Sequence, residues 1–430
     1  MALSRRLAVL AFLGVAVVAV AATGWAVIAV EGALAVAVAV DLALAGSVRE
    51  LAASRSGDTA VRLGEPAQVQ LRLVNTGRRT VRAQVRDAWP PSAGVAQPRT
   101  AVVIPAGQRR VLATRLVPTR RGDRVGDRVT VRSYGPLGLA ARQGSHTAPW
   151  RVRVLPPFTS RKHLPAKLAR LRDLDGRTAV LVRGQGTEFD SLREYVPGDD
   201  VRSIDWRASA RSADIVVRTW RPERDRRVLL VLDTGRTSAG RVGDAPRLDA
   251  AMDAALLLAA LATRAGDKVD FIAHDRSLRA AVQAGSGSEL LPALVQAMSG
   301  LAAQLVEPDW GAITAEVMRR APHRSLVVLL SALDPAPVEY GLMPVLSRLT
   351  RRHRVVLASV ADPRVAQMAA GRGDAQAVYE AAAGARAVLD RTRVGAALRR
   401  VGVTVVEGSP DELAPRLADT YLALKAAGLL

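Results

Sequence analysis

Four stretches between residues 67 and 132 alternate apolar and polar positions with period two: Ala67–Val74, Val81–Val85, Arg109–Leu116 and Arg128–Arg132, with turn residues such as Asn75-Thr76-Gly77 between them. Alternation puts every second side chain on one face, so each stretch predicts a half-buried strand. Short strands at this spacing predict a β-sandwich-like domain over 47–155, ended by Pro156-Pro157. From Arg227 the pattern changes. Val228–Leu232 is a continuous apolar run, as in a parallel strand buried on both faces, and a helical stretch, Arg247–Arg264, follows it. Strands at 269–273, 326–330, 355–360 and 403–406 then alternate with helices at 289–301, 313–320 and 343–351, a helical stretch to Arg400, and 411–427. This order predicts a doubly wound α/β domain over 227–430, with 156–226 as a linker and a charged motif. Binding residues in such a domain belong at the carboxyl ends of the strands, here 233–238, 331–334 and 359–362.

The first 46 residues read differently. Leu7–Val30 is 24 residues without a formal charge, and a second apolar run, Gly32–Val40, lies between Glu31 and Asp41. A spanning helix needs about 20 such residues. Thr23-Gly24-Trp25 offers a turn, so 1–46 predicts a transmembrane hairpin. Arginines on both flanks (Arg5 and Arg6, Arg49 and Arg55) place both ends in the cytoplasm, which predicts a multi-pass protein of the cell membrane with cytoplasmic soluble domains. Glu31 opposes this reading, since an acid at a helix centre costs about 3 kcal/mol. A single span with the soluble part outside, and a cleaved signal peptide built from Arg5-Arg6, Leu7–Val18 and Ala19-Val20-Ala21, are the alternatives.

Composition narrows the chemistry. With no cysteine, disulfides, thiolate metal sites and cysteine nucleophiles are excluded. The five histidines, at 146, 163, 274, 323 and 353, offer no pair spaced for one helix face. Net charge is +21, nearly all from arginine, and residues 1–46 sum to zero, so the excess lies in the soluble part. Such a surface favours acidic partners. Nucleic acid is not expected, because aromatics are 3% of the chain and stacking platforms are scarce.

The densest chemistry lies in Gly184–Arg211, where Glu188, Arg193, Glu194, Tyr195, Asp199, Asp200, Arg202, Asp205, Trp206, Arg207 and Arg211 mix acids, arginines and aromatics. Arginine forks pair with carboxylates and stack on rings, so the segment predicts a self-satisfied charged clasp on the α/β domain. A recognition surface and catalysis by paired carboxylates use the same residues. Gly184-Gln185-Gly186 precedes no clear strand-to-helix turn, which argues against a phosphate loop.

Thr187–Arg211 followed by Val228–Asp233 resembles the signature of the domain-of-unknown-function 58 family. The resemblance extends to Asp41, Arg120-Arg121-Gly122, Gly135-Pro136-Leu137-Gly138-Leu139 and Tyr421-Leu422-Ala423-Leu424-Lys425. It implies a membrane protein whose C-terminal domain is similar to a von Willebrand factor A domain, working beside a MoxR-type AAA+ ATPase. Domains of that type often hold Mg²⁺ through Asp-x-Ser-x-Ser; the matching residues here are Asp233, Gly235 and Thr237, and Ser331-Ala332 stands where the family has Ser-Asp. Two expected oxygen ligands are thus missing, with Asp334 as a substitute two residues on, and the expectation is a degenerate site with no cofactor. The function this predicts is a membrane-anchored cytoplasmic adaptor without catalysis of its own. The alternative is a metal-assisted hydrolase using the acids of the central motif and Asp233.

Overall fold

The computed structural model describes residues 2–181, 188–211, 214–221, 226–283, 287 and 289–430, and the chain divides into two units, Met1–Pro156 and Pro157–Leu430. In the first unit β1 (Ala2–Leu3) leads into α1 (Arg5–Ala21) and α2 (Gly24–Leu44). Strands β2 (Leu51–Gly57), β3 (Ala60–Arg62), β4 (Ala67–Asn75), β5 (Val81–Asp87), β6 (Arg99–Ile104), β7 (Arg109–Leu116), β8 (Gly122–Tyr134) and β9 (Ala140–Leu155) follow. One sheet has the order β1-β9-β8-β5-β6, with β3 also on β9, and the other has the order β2-β4-β7. The period-two pattern turns Leu71 and Leu73 of one sheet toward Val81, Val85, Val129 and Val131 of the other, forming a shared core. The alternating runs were legible, whereas β2, β6 and most of β9 were not: β9 carries Pro149 and a run of polar residues that hide its pairing with β8.

The N-terminal segment corrects two expectations. Among the described residues one helix, not two, has the length and apolarity to cross a membrane, so the expected transmembrane hairpin is not supported. The 21 residues of α2 reach about 31 Å, but α1 ends after 17 at Ala22, the cap residue with φ of +49°. Arg5 and Arg6 occupy its first turn and shorten its apolar part to about 22 Å. Side by side, α1 and α2 meet where Val30 closes over Gly14; a Cβ at Gly14 would stand 2.5 Å from Val30 Cγ1. Arg55, read as a membrane-flanking cation, is instead buried in the sandwich. Its guanidinium donates to Asp87 Oδ1 at 2.6 Å and to the Gly126 carbonyl at 2.8 Å, and it lies 5.4 Å from the Trp89 ring centroid.

The foot of α2 is locked to the β-sheet. Asp41, fully buried, accepts from the backbone N–H of Leu137 (2.8 Å), Gly138 (3.3 Å), Leu139 (2.7 Å) and Ala140 (2.9 Å). Gly135 permits this approach, since a Cβ there would overlap the Asp41 carbonyl and carboxylate. Beside it β1 pairs with Ala140 and Ala141, and Ser4 N donates to the Leu139 carbonyl at 3.0 Å. The start of α1 and the end of α2 therefore attach to the same corner of one sheet.

In the second unit α3 (Leu164–Leu181) is followed by β10 (Glu188–Glu194), α4 (Trp206–Ser209) and β11 (Val216–Arg221). After β12 (Arg227–Asp233), a short ribbon of β13 (Arg241–Val242) and β14 (Ala245–Pro246) leads into α5 (Arg247–Arg264). The remaining elements are β15 (Lys268–His274), β16 (Leu278–Val282), α6 (Leu290–Ser299), α7 (Trp310–Arg320), β17 (Leu326–Leu330), α8 (Met343–Thr350), β18 (Arg354–Val360), α9 (Pro363–Ala370), α10 (Ala375–Arg400), β19 (Thr404–Gly408) and α11 (Pro410–Ala426). The sheet order is β16-β15-β12-β17-β18-β19, parallel except for the edge strand β16. Helices α7, α8 and α10 cover one face, while α5 and α11 pack on the other. The stretch read as one helical run to Arg400 is broken between α9 and α10 by Gly371-Arg372-Gly373. Tyr421 and Lys425, four residues apart on α11, both hold buried Asp267, with Lys425 Nζ 3.0 Å from Oδ1 and the Tyr421 hydroxyl donating to Oδ2 at 2.5 Å.

Candidate functional site

Two places in the second unit bring together the residues singled out in the sequence. The first is the end of β12. Asp233 is buried, and three donors converge on its carboxylate: Gly235 N–H (2.7 Å), Thr237 Oγ1 (3.1 Å) and Ser331 Oγ (2.6 Å). Ser238 Oγ donates to the Asp233 carbonyl at 2.7 Å, closing the loop as a hydroxyl-capped turn. Burial pushes the Asp233 carboxyl above the usual range, against the lowering effect of these donors, and the neighbouring Asp275 carboxylate adds to the rise. Asp334, the substitute ligand expected from the sequence, lies 3.3 Å from Arg247 Nη1. Ser331 is the residue that reaches Asp233 instead. Across the loop Arg236 pairs with Glu307, and its Nε donates at 2.8 Å. Among the described residues no group of three or more Asp, Glu or His is placed to hold a metal ion. The cavity at this end, lined by Ser238, Arg247 and Ser331, has a volume of about 10 Å³, room for a single water.

The second place is the charged motif, which folds as a small ribbon. Strands β10 and β11 pair antiparallel from Glu188–Arg221 to Glu194–Val216, with a bulge between Phe189 and Ser191. Asp199 closes the turn that follows: Arg193 forks onto both its oxygens at 2.7 and 2.5 Å, and Val196 N donates to Oδ2 at 3.0 Å. Asp200 accepts from Arg202 N at 3.0 Å and starts a single 3₁₀ turn, Val201–Ser203. Asp205 caps α4 through the N–H groups of Arg207 and Ala208, each at 3.0 Å, and takes Arg218 Nε at 2.8 Å. The Ala208 amide first, and Arg218 second, hold the Asp205 carboxyl below its ordinary value. Ser209 Oγ ties the ends together, accepting from Val216 N at 2.9 Å and donating to the Asp205 carbonyl at 2.8 Å.

Two ion pairs, Arg193–Asp199 and Arg218–Asp205, form within the ribbon itself. Arg193 and Arg218 keep 40% and 46% of their side-chain surface exposed, while their partners Asp199 and Asp205 keep 22% and 13%. Trp206 is 66% exposed, with Val196 and Val201 exposed near it in the chain. The exposed Arg202, Arg207 and Arg211 make no ion pair among the described residues. Glu194 is exposed and Tyr195 half-buried. Glu188 is placed by its strand pairing alone, and Gly184-Gln185-Gly186 lies outside the described residues. Arg218 and Ser209 were missed in the sequence; the β-branched run Ile215-Val216-Val217 was the available signal for β11.

Among curated proteins the chain is similar to the uncharacterized protein Rv1480 of Mycobacterium tuberculosis, 26% identical over 198 residues, or 44% of this chain and 60% of the relative. The uncharacterized protein Mb1516 of Mycobacterium bovis matches to the same extent, so the chain spans about three fifths of these relatives. Among solved structures, the CARDB domain of a Pyrococcus furiosus protein is 17% identical, with a TM-score of 0.20 over 26% of this chain and 91% of that one. Native alpha-2-macroglobulin of Escherichia coli is 16% identical, with a TM-score of 0.22 over 26% of this chain and 18% of that one. Residues 191–399, holding most of the ribbon and the larger part of the α/β sheet, match the family described as protein of unknown function DUF58.

Proposed function

We propose that the chain is a membrane-tethered adaptor without catalysis of its own, binding a MoxR-type AAA+ ATPase, and that its second unit is a von Willebrand factor A-like domain with a degenerate metal loop. The observation that carries the reading is the ribbon's division of labour. Asp199, Asp200 and Asp205 are used in folding it, while Trp206 is exposed and Arg202, Arg207 and Arg211 make no ion pair among the described residues. An exposed large ring and arginines without an ion pair among the described residues suit an acidic partner surface, since Trp and Arg dominate binding energy at interfaces. The end of β12 supports the non-catalytic half: a carboxylate saturated by three internal donors, beside a cavity of about 10 Å³, has little left for a substrate.

The tether is α2, whose foot is fixed to the β unit through Asp41. Arg49, which follows α2, favours the cytoplasm as the side on which the β unit stands. A pull-down of a purified MoxR-type ATPase tests the adaptor: Trp206→Ala combined with Arg207→Ala should cut retention at least tenfold with unchanged melting. Retention unaffected by this pair would remove the ribbon from the interface.

A further inference from the structure

The geometry points to a second, unassigned site in the first unit: a collar of arginines at the foot of α2 that holds an anionic phospholipid headgroup. The inference rests on the reading that α2 is a membrane anchor. No basic residue of α2 lies in its own last turn; two arginines from the sheet supply the positive charge there. Arg142 Nε donates to the Leu42 carbonyl at 2.9 Å, and Arg79 Nη1 donates to the Ala43 carbonyl. Arg6, at the start of α1, lies against Gly138 in the turn that clamps Asp41. All three side chains belong to exposed residues.

Capping alone does not use these groups up. A guanidinium carries five N–H donors in a planar fork, and Arg79 and Arg142 each spend one on the helix, leaving the geometry that fits a phosphate bidentately. The nearby acids are engaged elsewhere: Asp41 is buried and fully used by four N–H groups, and Glu50 lies against Gly77. Depth agrees with charge. Val40 and Leu44 are the last exposed apolar side chains of α2, and Leu3 (69% exposed) and Leu137 (47%) extend that apolar level onto the sheet beside the cations. Cations just beyond an apolar layer sit where the lipid phosphates are.

The test uses the full chain in nanodiscs of phosphatidylcholine, alone or mixed with phosphatidylglycerol, with lipid retained after a detergent wash counted by native mass spectrometry. The expected result is selective retention of phosphatidylglycerol, falling roughly fivefold for Arg142→Gln and roughly 25-fold when Arg79→Gln is added. Arg115→Gln, elsewhere on the unit, should leave retention unchanged, and matched melting curves show that the variants fold. Equal retention of both lipids, or unchanged retention in the double variant, overturns the headgroup site while leaving the anchor intact. Failure to enter either nanodisc would instead overturn the anchor on which the inference rests.

Discussion

A carboxylate buried at the foot of an apolar helix is tolerable only if its lone pairs are answered, and Asp41 is answered by backbone alone. Asp41→Ala would orphan several buried N–H groups at once, so a loss of about 2–4 kcal/mol is expected in denaturation of the detergent-solubilised chain. Asp41→Asn should rescue little, because its amide turns donors toward donors. His353 behaves in the opposite sense. It is buried, neither ring nitrogen has a partner among the described residues, and desolvation, then Arg352, lower its pKa. The unfolded chain therefore takes up a proton as pH falls below about 6.5 while the folded chain does not, and stability drops through that window by up to about 1.4 kcal/mol per pH unit. His353→Leu is expected to flatten this slope in melts between pH 7 and 5; an unchanged slope would assign it to other groups.

Among the elements, the ribbon of β10, α4 and β11 separates residues that fold it from residues it displays. Asp205 caps α4 and pairs with Arg218, whereas removing Arg193 still leaves Asp199 the Val196 amide. Amide exchange should therefore accelerate at Ala208 and Val216 in Asp205→Ala, and much less in Arg193→Ala, because exposed pairs contribute little. Equal acceleration in both would mean the ribbon is held by its charges as one network. The residues of this ribbon were visible in the sequence, but their exposure was not: a mixture of acids, arginines and rings reads the same whether its pairs face a core or solvent. The parallel strands were legible because burial on both faces leaves an unbroken apolar run, as in Val228–Leu232. Edge strand β16 was not, since its Leu278-Arg279-Ala280-Ala281-Val282 is half exposed and carries a weaker pattern. Ser331 reaches Asp233 only through the parallel pairing of β12 with β17, a contact across 98 positions that no local spacing reveals.

For the whole molecule the side of the membrane is the first question. The proposed orientation rests on the arginine that follows α2, so a reporter fused after Leu430 that works only in the cytoplasm is expected to be active. Activity of an exported reporter at the same position would reverse the orientation. The Asp41 lock also sets an order in time. Leu137–Ala140 lie 96 to 99 positions after Asp41, and at a ribosome's usual pace they emerge about 5–20 s later. An α2 that anchors the chain would enter the bilayer during that interval, while its acidic foot has nothing to grip. The opening residues of the chain wait longer still, for a strand more than a hundred codons downstream. A nascent chain stalled in between would carry an inserted but unfastened anchor, a natural substrate for membrane quality control.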